Sequence, residues 1–411
     1  MTTFDEPSNR NRSLGYLRTF LTLLVVAHHA ALAYHPYAPP PATTLNGSLI
    51  WAAFPIVDVQ RLPGLDVFVA LNDTFFMSLM FFVSGVFAWG SLRRKGSLAY
   101  LRDRTLRLGV PFVVAAGLLA PLAYYPTYLA ERAPVGSFWH QWLAIDGWPA
   151  GPAWFLWVLL AFGVVAAALF SVAPRFGDRL GALTARLSSR PIVYFVVFVV
   201  LSAIAYLPMA ATFDPLRWIS AGPFYVQISR LLNYAFYFFA GIGVGANGLE
   251  RGLLARDGKL ARRWALWLVG GLFAFATLIG CVLAILAALQ KAGPSPSLVV
   301  FANFAFVLTC ATLSLACMAL FVRYTRSGNR VMNSLSANAY GIYLLHYACV
   351  SWLQFALLQT RLPAAAKFGI VVVGAITASW LATAVLRRIP AIARIIGSAA
   401  GVGAGARVLS S

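Results

Sequence analysis

Ten separate runs of about 18 to 25 mostly apolar residues, each long enough to cross a bilayer as a helix, dominate this chain of 411 residues. They fall near 14–34, 67–89, 108–127, 152–172, 191–211, 226–246, 264–288, 298–321, 337–358 and 365–386. Inside lipid every backbone N–H and C=O must find a partner within the protein, so only helices and closed barrels span it. Runs of this length read as helices rather than as the shorter strands of a barrel. Composition agrees, with 60% apolar and 11% charged residues and a mean hydropathy of +0.77, against roughly a quarter charged in soluble domains. The expectation is an all-α integral membrane protein, a bundle of about ten transmembrane helices. Residues 1–13 and 387–411 are read as tails flanking a membrane domain over 14–386.

An even number of spans places both termini on one side. Of the 32 Lys and Arg, 25 fall on the segments of that side and 7 on the other, while the 12 acidic residues divide 6 and 6. The basic side is therefore read as cytoplasmic, with both tails in the cytoplasm. The net charge of +20 is thereby accounted for by topology, so the bilayer is the expected partner and nucleic acid is not. Basic residues followed by an apolar run and Ala31-Leu32-Ala33 imitate a signal peptide with its cleavage site. The run from Leu14 to Ala27 is near the long end for a signal core and continues through two histidines, so the expectation is a retained first span. Cys281, Cys310, Cys317 and Cys349 lie in apolar runs without CxxC spacing. They read as packing residues rather than a disulfide framework or metal site, and no metal is expected.

Ionisable residues inside a span are costly and so are candidates for function. The first span carries Arg18, His28 and His29. Arg18 and His29 stand eleven residues apart, about 16 Å along a helix and about 20° apart around it, so they share one stripe. Arg18 reads either as a functional cation or as an interfacial anchor, and the histidines either as chemistry or as bundle hydrogen bonding. Arg104 and Arg107, three residues apart, point one way on a turn entering the membrane. Two guanidinium forks suit a phosphate-bearing cytoplasmic ligand, and lipid phosphate is the other candidate. Tyr343 and His346 are neighbours on one face of the ninth span, as ligands of chemistry or members of a polar network. Asp73, in the outer part of span two, suits orienting an imidazole or pairing with an outer arginine such as Arg61.

Taken in order, these pieces resemble the acyltransferase 3 family of integral membrane acyltransferases. That family's basic residue, ten residues and histidine correspond to Arg18 and His29, and Phe81-Phe82-Val83-Ser84-Gly85, one residue shorter, is similar to its FFxxSG element. Its RxxR element corresponds to Arg104 and Arg107, with Leu108 and Pro111 behind. Gly151-Pro152-Ala153-Trp154-Phe155-Leu156 is similar to its WFL segment, and Asn338 to His346 to its late YxxYLxH helix. The match runs from about Leu14 to about Arg388, and Asn72-Asp73 with the late helix looks closest to glucan-modifying succinyltransferases. No SGNH-type domain is expected after the bundle.

The resemblance implies transfer of an acyl group, acetyl or succinyl, from cytoplasmic acyl-CoA to a hydroxyl of a cell-envelope or periplasmic carbohydrate or glucan. It implies a multi-pass protein of the bacterial inner membrane that needs no cofactor, acyl-CoA being the donor substrate. His29 is then the general base or the acyl-accepting nucleophile, and Arg18 meets the donor from inside. Arg104 and Arg107 hold the CoA phosphates, while His346 and Asp73 orient His29 or the acceptor. Tyr343 and Trp154 contact substrate; the outer-loop tryptophans Trp139, Trp142 and Trp148 fit either sugar stacking or an interfacial belt. A homo-oligomer is left open. The competing class is a proton-coupled transporter of a small solute, since Arg, His and Asp in a helical interior suit that too. No pair of Gly/Pro-broken spans at matching positions in two halves supports it.

Overall fold

The computed structural model describes residues 9–40, 45, 52–131, 136–145, 147–248, 252–325 and 327–397. Most of the C-terminal tail, the first eight residues and Arg132 lie outside the described residues. Helix α1 is Asn9–Leu32 and α2 is Leu65–Arg104. From α2 the helical chain continues through a π turn at Thr105–Gly109, α3 (Val110–Val114), a second π turn at Ala115–Leu119 and α4 (Ala120–Ala130). Helix α5 (Phe138–Ala144) precedes a 3-10 turn at Gly151–Ala153, then α6 (Trp154–Val172), α7 (Phe176–Ser188) and α8 (Pro191–Phe213). Strands β1 (Trp218–Ala221) and β2 (Phe224–Gln227) form an antiparallel hairpin pairing Trp218 with Gln227. There follow α9 (Leu231–Asn247), α10 (Lys259–Arg262), α11 (Trp264–Leu289), α12 (Pro296–Tyr324), α13 (Arg330–Leu357), α14 (Ala364–Leu386) and α15 (Pro390–Ile396).

Seven helical stretches among the described residues are long and apolar enough to cross a membrane. The chain is an all-α membrane protein, the small hairpin apart. The second and third apolar runs form one helical stretch, Leu65–Ala130, jointed only at Gly96, whose φ of 75° is a conformation that L side chains rarely adopt. The sixth run, 226–246, begins in strand and turn, so its helix α9 is only 17 residues long. The ninth lies within the 28 residues of α13, which carries Asn333, Asn338, His346, Ser351 and Gln354 and is too polar to join the seven. Helix α11 leaves most of its apolar surface open, Phe273 by 75% and Val269 by 65%. Such a face suits lipid rather than water.

The chain divides into two compact units. The first comprises Met1–Leu24, Asp66–Arg102 and Val158–Gly328. Its core is α12, buried almost throughout its middle, with α8 and α11 packed against it. Helices α2 and α9 touch backbone to backbone. A Cβ added at Gly85 would stand 1.9 Å from the Phe238 carbonyl oxygen, one at Gly241 2.1 Å from that of Phe82, and one at Gly245 1.9 Å from that of Val86. Gly241 and Gly245 are a GxxxG pair, the small-residue spacing that lets membrane helices approach closely. The Ser84-Gly85 step of the FFxxSG element is thus half of a helix joint, with the Ser84 hydroxyl bonded back to the Met80 carbonyl at 2.8 Å.

The second unit comprises Val25–Leu65, Asp103–Trp157 and Asn329–Ser411. Here α13 is central, packed on α14 and α4. Its contacts follow from three prolines in the Thr105–Ala130 stretch, each of which removes a backbone donor. Pro111 brings no N–H to the carbonyls of the π turn before it, and the Tyr340 hydroxyl of α13 donates to one of them, that of Arg107. In the second π turn the Ala120 N–H bonds the Ala115 carbonyl, so residue 121 should serve Ala116. Residue 121 is proline, and Trp148 Nε1 donates to that carbonyl at 2.9 Å. Pro126 likewise leaves the Leu122 carbonyl to Trp352 Nε1, at 3.0 Å. Across the unit, Lys367 of α14 and Asp58 of the segment after α1 form an ion pair at 2.7 Å with 0% and 1% exposure.

Trp352→Phe should cost about 1–2 kcal/mol by leaving a carbonyl without its donor. In a Pro126→Ala background, which restores an N–H, the same change should cost clearly less. Thermal unfolding in detergent of the four proteins measures the coupling; equal costs in both backgrounds would remove this role from Trp352.

Candidate active site

The end of α1 is held by a full accounting of its last four carbonyls, the groups a helix leaves without internal donors. Gln354 Nε2 of α13 donates to the carbonyls of His29 and Ala30, at 3.1 and 3.2 Å. The N–H groups of Tyr34 and His35 take those of Ala31 and Leu32. The segment after the helix is strapped back on it, the Asp58 N–H and Arg61 both donating to the Ala33 carbonyl and the Leu62 N–H to that of Tyr34. His29, one turn from this end, is therefore fixed in height and rotation.

Around His29 the second unit gathers rings. His346 stands 5.4 Å away between ring centroids, Tyr347 5.0 Å and His28 5.4 Å. His346 is fully buried, and its Nδ1 lies 2.6 Å from the Tyr343 carbonyl oxygen. A carbonyl only accepts, so Nδ1 carries the proton and the neutral ring's Nε2 carries a lone pair. His346 Nε2 and His29 Nδ1 are both buried without a hydrogen-bond partner among the described residues. Two imidazole nitrogens so placed are suited to receive or pass a proton.

His346 also forms part of the wall of a small cleft. Ala115, Leu119 and Ala120 of the second π turn and α4 form one side, and Ala150, Pro152 and Ala153 another. Tyr343, Leu344, Tyr347 and Ala348 of α13 complete it. The 3-10 turn at Gly151–Ala153 sits close because residue 151 is glycine, with a φ of 56° and the Tyr347 ring only 3.1 Å from where a Cβ would be. Tyr343 donates to the Pro152 carbonyl, and Tyr347 and Tyr124 both donate to that of Ala52, at 3.0 and 2.6 Å. Trp154 starts α6 directly after the turn, its ring 6.4 Å from that of Phe155, which in turn meets Tyr343 at 6.0 Å.

Of the residues singled out from sequence, the structure brings together His29, His346 and Tyr343, with Trp154 one ring removed. Arg104 and Arg107 lie in the same unit, in the stretch that α13 holds through Tyr340, about 9 Å along α13 from His346 by helix rise. Arg107 also pairs with Asp103 at 3.1 Å. Arg18 and Asp73 belong to the first unit. Arg18 is exposed on α1. Asp73 pairs with Arg230 at 2.6 Å, which also donates to the Asp73 carbonyl and lies 4.8 Å over the Phe306 ring. Arg61, its suggested partner, bonds the Ala33 carbonyl instead. Sequence reasoning passed over Gln354, Tyr347 and Tyr124. Tyr347 was legible as the residue four beyond Tyr343 on the same face, whereas Gln354 was a lone amide in an apolar run, and its backbone partners leave no sequence signal.

¹⁵N spectra of histidine-labelled protein, assigned with His346→Asn, should show His346 with its ring proton on Nδ1 and an unprotonated Nε2. A resting ring protonated on Nε2 alone would contradict the geometry.

A family profile described as an acyltransferase domain, Acyl_transf_3, matches residues 11–384 of the chain. No curated protein and no solved structure matches it.

Proposed function

As the chain belongs to the acyltransferase 3 family, we propose that it moves an acyl group from cytoplasmic acyl-CoA to a hydroxyl of a cell-envelope or periplasmic carbohydrate. The observation that carries this reading is the pair of imidazoles, His29 and His346, 5.4 Å apart beside a cleft. In the reaction an imidazole takes the acceptor's hydroxyl proton, and the oxygen bonds to the thioester carbonyl carbon. The C–S bond then breaks, and the departing thiolate receives the proton, leaving an ester, free CoA and an unchanged enzyme. His29 is the base, or the acyl acceptor if transfer runs in two stages. His346, with its fixed tautomer, orients His29 and shares its proton.

Arg104 and Arg107 hold the CoA phosphates by charge-assisted bonds, with Asp103 fixing the angle of the Arg107 fork. Arg18 meets the donor on its way in, and Tyr343 and Trp154 shape the acyl and acceptor sites. Asp73 with Arg230 serves the acceptor side. The setting is a bacterial inner membrane with both tails cytoplasmic, for which the 25-to-7 division of basic residues is the support.

The test follows free CoA released from acetyl-CoA and succinyl-CoA by purified protein in the presence of a saccharide mixture. Wild type should release CoA and His29→Ala should lose at least 100-fold, on the order of the contribution of a general base. A His29→Ala protein of full activity sinks the assignment. Arg104→Ala with Arg107→Ala should raise KM for the donor about tenfold or more with a smaller effect on kcat. An unchanged KM would remove the phosphate clamp. No CoA release from folded wild type would favour the transport reading.

A further inference from the structure

We infer that the cleft beside His346 is the binding site of the acyl chain, and that it admits only a short, uncharged acyl group, which excludes succinyl. The inference rests on the acyl-transfer reading of the same site. The cleft's walls are chiefly small and apolar, with Ala115, Ala120, Ala150, Ala153 and Ala348 and the two leucines Leu119 and Leu344. Its enclosed space is only about 20 Å³, on a measure where one water needs about 10–15 Å³. That is room for the end of a short acyl group and little more.

Charge selection follows from the donors. The lining contains no lysine or arginine. Its two hydroxyls already donate to backbone carbonyls, Tyr343 to Pro152 and Tyr347 to Ala52. The nearby Tyr124 hydroxyl donates to Ala52 as well. Among the lining side chains the remaining polar group is the imidazole of His346, whose Nε2, in the tautomer set by the Tyr343 carbonyl, is an acceptor. A carboxylate at the end of a succinyl chain is acceptor-only and needs donors or a cation. Here the lining side chains offer neither a free donor nor a cation, and a carboxylate without such a partner is strongly disfavoured. An acetyl or propionyl methyl group meets only methyl groups and rings.

Length selection sits on Leu119 and Ala153, two of the side chains that line the cleft. Leu119→Ala lengthens it, and Ala153→Val shortens it.

The experiment compares kcat/KM for CoA release from acetyl-, propionyl-, butyryl-, succinyl- and lauroyl-CoA, each with the same saccharide mixture, for wild type, Leu119→Ala and Ala153→Val. Each donor is expressed relative to acetyl-CoA, a ratio that does not depend on how much of a variant folds. Wild type should use succinyl-CoA at least on the order of 100-fold less well than acetyl-CoA, and lauroyl-CoA no better. Leu119→Ala should raise the butyryl-to-acetyl ratio several-fold, and Ala153→Val should lower it. Succinyl-CoA or lauroyl-CoA used within threefold of acetyl-CoA would overturn the inference and leave acyl transfer standing. So would butyryl-to-acetyl ratios that both variants leave unchanged. Absence of release from every donor would overturn acyl transfer itself.

Discussion

A carbonyl oxygen in hydrocarbon has no water to turn to, and in the second unit that single constraint organises most of what surrounds the histidines. Pro111, Pro121 and Pro126 each withhold an N–H from a carbonyl of their own helix. The replacements are the Tyr340 hydroxyl and the indoles of Trp148 and Trp352. Two of the three come from α13, the helix that also carries His346. The same helix supplies the hydroxyls that bond Pro152 and Ala52, and the amide that closes α1 at His29 and Ala30. Helix α13 is polar because it repairs the backbones around it.

The first unit meets the same environment by other means. Its helices α2 and α9 approach until side chains are excluded from the contact, at Gly85, Gly241 and Gly245. Its polar groups are collected in pairs, buried Arg230 with half-exposed Asp73, and Ser202 with Asn233, both buried, at 2.7 Å. In the second unit Lys367 and Asp58 do the same for the strap after α1. A pair so deeply buried is expensive to leave half-made, so the partners define where their segments sit.

Hydrophobic run length was enough to place nearly every long helix, because a bilayer imposes one length on all of them. It was blind to Gly96, where one glycine turns the chain without a loop, and to the β1–β2 hairpin that shortens α9. The site divides similarly. His29, Tyr343 and His346 were legible because polar residues stand out in apolar spans. Their mutual distance was not, since His29 and His346 lie more than 300 positions apart in the sequence. The partner of Asp73 lay 157 residues away among several outer-side cations. The side chains that bond backbone carbonyls were the least legible, because a carbonyl has no letter in the sequence.

The tyrosines of α13 at 340, 343 and 347 reach three carbonyls on three different segments, belonging to Arg107, Pro152 and Ala52. Together they work like the wards of a key. One residue added between Tyr343 and Tyr347 would turn everything beyond it by about 100°, so that Tyr347 would miss Ala52 and Gln354 would miss α1 together. This stretch of the chain can therefore drift in side-chain chemistry but hardly in length, while the loops outside it remain free to lengthen.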